Sequence, residues 1–295
     1  MVGQGDADRG REPEATVADR LRRAQDTLSP AERKIARALL GHYPVAGLES
    51  TSGLAARAGV SAPTVVRFVV RLGFGGYREF QQSLRDEVQE RRASPLTLAP
   101  MIADASRTSE LAEAAAKVGR TAVTQTFEAL SEKDFDQAIA LLSDQTHRIT
   151  SFGGRFSHTL AQYFGLHLRL LRPGTTVHTQ LPGGDSGFLV DVGHQDVCVV
   201  FDLRRYQRDT VELARYAHGR GAKIVLITDP WLSPVAEFAD VVLSARVEAP
   251  SPFDSIVAPT ALAEALIAAL YARLGTAAAR RVREADEAAT GLTVE

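Results

Sequence analysis

The chain has little of what staples or metallates a protein: among its 295 residues stand one cysteine, Cys198, one tryptophan and two methionines. A lone thiol closes no internal disulfide, and a Cys-based zinc site or a CxxC redox pair is excluded. No run approaches the ~18 uninterrupted apolar residues of a membrane helix. The first fifteen residues, MVGQGDADRGREPEA, are polar and acidic with no apolar stretch, unlike a secretory signal. The expectation is a cytoplasmic protein with no membrane partner, no metal and no cofactor. Aromatics make up only 6%, yet 45% of residues are hydrophobic and 24% charged, close to the average globular chain. That composition excludes wholesale disorder, and the length suits one large domain or two ordinary ones.

The formal charge of −2 conceals an asymmetry. Between Arg20 and Arg92 there are thirteen Lys and Arg against seven Asp and Glu, so this segment carries +6 and the remainder −8. A basic block in an acidic whole suggests a polyanion-binding module joined to something different. Its pattern is helical from Thr16 to Arg92. Ser29-Pro30-Ala31-Glu32 combines a Ser N-cap, a Pro at the first helical position and a Glu placed for a capping box. A short helix follows over about Ser52–Ala58, then Gly59-Val60, a helix over about Ser61–Leu72, the break Gly73-Phe74-Gly75-Gly76 and a polar helix over Tyr77–Arg92.

The stretch from Thr51 to Arg67 has the grammar of a helix-turn-helix. Leu54, Ala55 and Ala58 let a second helix cross closely, and Gly59 suits the tight turn. Val65, Phe68, Val69 and Leu72 follow the i, i+3, i+4, i+7 rule and should face inward. Thr64, Arg67 and Arg71 then face outward on the helix that enters the major groove. The expected DNA contacts are Thr51, Ser52, Ser61 and Thr64 as donors, Arg67 as a bidentate guanine reader and Arg71 on the phosphate backbone.

Beyond His147 the texture changes. β-branched runs at Arg148–Phe152, Thr176–His178, Val197–Phe201, Lys223–Thr228 and Val241–Leu243 alternate with helical stretches at Ser157–Leu171, Asp209–Arg220 and Val235–Ala239. A long helix follows over about Ser255–Leu274. That alternation implies right-handed βαβ units and a parallel sheet covered on both faces. The expected organisation is a disordered leader 1–15, a helix-turn-helix domain 16–92, a linker and connecting helix 93–129, an α/β domain 130–275 and a tail 276–295.

LSPAERKIARALL, TSGLAARAGVSAPTVVRF and LGFGGYREFQQSLRDEV resemble, in order and spacing, the N-terminal domain of RpiR/MurR-type bacterial transcription regulators. That resemblance implies a C-terminal sugar isomerase (SIS) domain, a three-layer α/β sandwich with a five-stranded parallel sheet. It also implies a double-stranded DNA operator, a small anionic effector such as a sugar phosphate, and a homodimer or homotetramer.

The effector site would lie at the strand carboxyl ends. After the first strand, Gly153, Gly154, Arg155 and Ser157 form a strand–loop–helix junction suited to an anion. Phosphosugar-binding SIS domains show Gly-x-Gly-x-Ser there, and Arg155 replaces the second Gly. After the third strand they show Ser-x-Ser-Gly-x-Thr, where this chain has Asp202-Leu203-Arg204-Arg205-Tyr206-Gln207. Thr228 and Glu248 complete the candidate set. In one reading Arg155, Arg204 and Arg205 bind phosphate or carboxylate as charged forks. In another, Asp202 pairs with an arginine and the domain serves only for oligomerisation. A third, a phosphosugar isomerase, would need a base and a ring-opening His, and the spacing of His158, His167, His178, His194 and Glu248 sets out no such pair. Cys198, inside VCVVF, reads as a buried hydrophobe.

Overall fold

The computed structural model describes residues 15–24, 27–92, 108–178 and 185–290. The leader, apart from Ala15, and the first part of the linker (93–107) lie outside these residues, as do 291–295.

The basic segment folds as six helices: α1 (Val17–Ala24), α2 (Pro30–Leu40), α3 (Val45–Leu48), α4 (Thr51–Ala58), α5 (Ala62–Arg71) and α6 (Tyr77–Arg92). Local signals place their ends. Ser29 Oγ accepts from the Glu32 amide and the Glu32 carboxylate accepts from the Ser29 amide at 2.8 Å, closing the capping box of α2. Ser50 Oγ accepts from the Gly53 amide and opens α4. Gly59 ends α4 at φ +63°, a left-handed conformation that a side chain resists. The axes of α4 and α5 meet at 99°, within the range of a helix-turn-helix. Ile35, Leu39, Leu54, Val65, Phe68, Val69, Phe80 and Leu84 form the core, with α5 contributing its predicted inner face. Burying a side chain as large as Phe68 stabilises the fold by about 2–3 kcal/mol.

The second region opens with α7 (Thr108–Glu128) and α8 (Glu132–Ser143). Ser131 divides them by accepting from the Asp134 amide at 3.2 Å. There follow β1 (Arg148–Gly153), α9 (His158–Leu171), β2 (Thr175–Val177), α10 (Ser186–Asp191), β3 (Asp196–Asp202), α11 (Arg208–Gly219) and β4 (Lys223–Thr228). A 3-10 turn (Pro234–Glu237), β5 (Val241–Ser244), α12 (Val257–Leu274) and α13 (Thr276–Thr290) complete the domain. The strands run parallel in the order β2-β1-β3-β4-β5. Alternate residues point to opposite faces. Val197, Val199 and Phe201 meet α8, α9 and α12, while Cys198 and Val200 meet α11 and the 3-10 turn. Both faces are covered, which is why the strands read as unbroken apolar runs. α12 is long and apolar enough to cross a bilayer by composition, and Leu262, Ala263, Leu266 and Leu270 account for that by lining the sheet core.

The segment from 276 onward is no tail as far as it is described. α13 continues after Gly275, buries Ala278 in the sheet-domain core, and donates from Arg281 Nε to the Arg169 carbonyl at 3.0 Å.

The two regions are joined by buried polar contacts. Arg22 Nη1 donates to Ser244 Oγ at 2.8 Å, and Arg246 pairs with Asp19 at 3.2 Å. Leu232, from the loop after β4, enters the core of the helical head.

Candidate functional site

On the head, the N-terminal half of α5 gathers the expected contacts. Ser61 Oγ and Thr64 Oγ1 lie 2.7 Å apart, and Arg67 Nη2 reaches Thr64 Oγ1 at 3.4 Å. Ser61 makes no side-chain cap bond, so its hydroxyl stays on the surface with Arg67. Thr51 and Ser52 sit in the first turn of α4, half-buried and exposed respectively. Arg71 stands apart from this group. Its Nη1 pairs with Glu32 at 2.8 Å and its Nη2 donates to the Thr27 carbonyl at 2.7 Å, which ties α5 back to the start of α2.

Sequence reading missed a basic groove. Lys34, Arg37, His42 and Arg57 line a shallow cavity of about 330 Å³ between α2 and α4. Lys34 and Arg37, one turn apart on α2, carried a signal; their meeting with Arg57 is a tertiary fact.

In the sheet domain the crevice opens where the chain order reverses, between β1 and β3. Gly153 is required there: a Cβ would lie 2.7 Å from the Phe201 carbonyl oxygen and 2.9 Å from the Ser157 backbone. The surrounding polar groups are largely engaged. Ser157 Oγ donates to the Phe201 carbonyl at 2.7 Å. Thr228 Oγ1 donates to the Asp202 carbonyl at 2.7 Å and accepts from the Ser233 amide. Gln207 Oε1 accepts from the Arg155 amide at 2.9 Å beside Gly154, and the Arg155 guanidinium lies over Phe156. Glu248 pairs with Arg246 at 3.3 Å and lines a separate cavity of about 250 Å³ between head and sheet domain, with Thr16, Glu90 and Trp231.

Among the described residues Asp202 pairs with no arginine. Ser233 Oγ donates to it instead, and the sequence signal for this was only the serine that opens the 3-10 turn. The arginines of the following loop turn to Asp254, a residue outside the expected set. Arg204 Nη2 and Arg205 Nη2 both donate to its carboxylate, Arg205 at 3.2 Å. Arg204 Nε, buried beside that contact, has no hydrogen-bond partner. Arg205 is held at φ +70°. Of the described non-glycine residues only Arg205 and Leu232 adopt left-handed backbone, and they lie in the loops after β3 and β4. Such geometry costs roughly 1–2 kcal/mol in an L-residue.

The floor of the crevice is acidic. Burial pushes the Asp202 carboxyl up to about 7, against the Ser233 hydrogen bond that lowers it. Burial likewise raises Asp229 to about 6, although Tyr206 Oη donates to it at 2.6 Å and the Trp231 amide at 3.0 Å. Cys198 is fully buried, and desolvation drives its thiol well above its ordinary value, which leaves it inert.

Comparison with known proteins fits both halves. The profile of the helix-turn-helix domain, rpiR family, matches residues 15–91, and that of the SIS domain matches residues 141–269. The chain belongs to the RpiR family. An HTH-type transcriptional regulator of Haemophilus influenzae is 28% identical over 236 residues, spanning 77% of this chain and 78% of that protein. The bifunctional protein glk of Burkholderia mallei is 29% identical over 78% of this chain, which spans only 35% of its length. Among solved structures, the sugar isomerase domain of an RpiR transcription factor from Sphaerobacter thermophilus covers 60% of this chain and 99% of its own at 27% identity and a TM-score of 0.57. The Vibrio vulnificus NanR protein complexed with ManNAc-6P covers 94% of this chain and 99% of its own, with a TM-score of 0.56. At 18% identity it shows the shared fold. This RpiR-family chain thus joins a helix-turn-helix head to an SIS domain, in which Gly153 and Ser157 stand at the first strand–loop–helix junction and Arg204 and Arg205 in the loop after β3.

Proposed function

We propose that the protein is a cytoplasmic transcription regulator in which α5 reads operator DNA and the SIS crevice senses a small anionic metabolite, a sugar phosphate or a related carboxylate. It has no isomerase activity in this reading, because Glu248 is engaged by Arg246 and no described His lines its cavity as a partner in ring opening. The observation that carries the sensor is the Arg204–Asp254–Arg205 cluster. Two guanidiniums converge on one carboxylate at the strand carboxyl ends, and the Nε–Nη2 edge of Arg204 is only half used. Bidentate anions take that edge, so a ligand phosphate could replace Asp254. Left-handed Arg205 is a residue whose strain such an exchange could relieve.

A second reading has one observation in its favour: the hydroxyls of Ser157, Thr228 and Ser233 are all spent on internal bonds, which would suit a domain kept only for assembly. Exposed Leu166 and Leu170 on α9 and Val282 on α13 support assembly as a homodimer or homotetramer in either case. A thermal-shift screen of phosphorylated and carboxylated metabolites separates the two. The sensor reading expects a saturable rise in Tm that the Arg204→Ala/Arg205→Ala variant loses. A panel that moves neither protein supports assembly alone.

A further inference from the structure

Side chains from both crevice loops reach across to the last turn of α6. Arg204 Nη1 donates to the Glu90 carbonyl at 3.1 Å, and Trp231 Nε1 donates to the Glu90 carboxylate at 3.2 Å. The Arg91 guanidinium lies 4.5 Å from the centre of the Tyr206 ring, and that of Arg204 lies 5.0 Å from the centre of Trp231. Arg204 is therefore shared: one guanidinium faces Asp254 on one side and the carboxyl end of α6 on the other. That turn holds the Glu90 carboxylate beside the carbonyl that Arg204 meets, with the Arg91 cation turned to Tyr206 on its other side.

We infer that the Glu90–Arg91 turn and an anion bound at Arg204–Arg205 compete for the charge of Arg204, so that effector binding loosens the docking of the head. The inference rests on the proposed anion site and assigns its regulation. The Glu90 carboxylate, next to the carbonyl that Arg204 meets, repels an anion brought to that guanidinium, and in a partly buried junction such repulsion is poorly screened. Asp254 is the weaker competitor at present, because it is shared with Arg205 and brings one charge, whereas a phosphate brings up to two.

The fold carries this signal to the DNA-reading surface. α6 is one continuous helix from Tyr77 to Arg92, and its Phe80 and Leu84 sit in the core beside Phe68 of α5. The backbone strain in the crevice loops falls at Arg205, next to the shared arginine, and at Leu232, which plugs the head core. α1 remains attached through Arg22–Ser244 and Asp19–Arg246, so the expected motion is a tilt of the head about α1.

Trp231 is the chain's one tryptophan, and its indole N–H is a member of the contact, so its emission reports docking directly. The test titrates the full-length protein with inorganic phosphate at low salt, following Trp231 emission and hydrogen exchange in residues 84–91. Glu90→Gln keeps an oxygen acceptor for the indole and removes the charge. The expected result is a saturable change in emission with faster exchange at the α6 end in the wild type. Glu90→Gln should bind phosphate roughly three- to tenfold more tightly, the span of a screened repulsion between partly buried charges. Equal phosphate affinity in the two proteins, with α6 exchange unmoved, overturns the competition and leaves the anion site standing. If neither protein binds phosphate, or if Arg204→Ala/Arg205→Ala binds it as well as the wild type, the site reading fails and the competition with it.

Discussion

Glu87 gives the sharpest quantitative test of how the head is held together. Its side chain is 6% exposed and joins three helices or their connections: Oε1 accepts from the Val17 amide at the start of α1 at 2.7 Å, and Oε2 accepts from Tyr43 Oη. Burial pushes its carboxyl up to about 7, the hydrogen bonds from Tyr43 and Val17 pull it down, and Asp19 and Glu90 nearby push it up again. The folded chain thus holds this proton more tightly than the unfolded chain does. Protonation then favours folding: the stabilisation is complete below pH 4.5 and is lost as pH rises through about 7. At 1.36 kcal/mol per tenfold change in proton affinity, the rise from 4.5 to about 7 corresponds to about 3 kcal/mol. Asp202 and Asp229 act in the same direction, so wild-type stability should fall from about pH 4 to about pH 7 by more than Glu87 alone contributes. Denaturant unfolding at closely spaced pH values, wild type against Glu87→Gln, isolates the one group. Gln keeps a carbonyl for the Val17 amide and has no charge to desolvate. The two stability curves should converge or cross as pH rises, the difference between them changing by up to about 3 kcal/mol. Parallel curves would refute the account, for they would show that Glu87 titrates alike in the folded and unfolded chain.

Three further outcomes follow from the head. Arg67→Ala should weaken a cognate operator by roughly 1–3 kcal/mol and relax one base position, read by competition binding against single-base variants; an equal loss on random duplexes would make Arg67 a phosphate contact. Arg71→Ala should leave the slope of log affinity against log salt unchanged, since its guanidinium is engaged by Glu32 and Thr27; a slope smaller by about one would show that it leaves them for a phosphate. Gly59→Ala should lower stability by roughly 1–2 kcal/mol through backbone conformation alone, because a Cβ there meets nothing within 4 Å; an unchanged midpoint would mean the turn relaxes at no cost.

By itself the sequence determined what short-range forces decide. The Ser29–Glu32 capping box, the left-handed turn at Gly59, the inward face Val65–Phe68–Val69 and the β-branched runs of the sheet each depend on bonds or packing periods within a few residues. Those signals carry the helix-turn-helix and the five-stranded parallel sheet. The partners of the long cationic side chains were left to the tertiary structure. A guanidinium sits at the end of a long flexible side chain and pairs with whatever carboxylate the fold brings near, so Arg71 meets Glu32 and Arg204 meets Asp254, 39 and 50 residues away. Asp202 meets Ser233, 31 residues on, only because β3 and β4 pair side by side. The docking of α6 on the crevice rim is a contact between regions 114 residues apart in the chain, and no local periodicity encodes it. The Ala- and Arg-rich stretch of α13 has too few apolar residues to announce a buried face; Ala278 is small, and the groove it fills between α9 and α12 exists only once those helices have packed on the sheet.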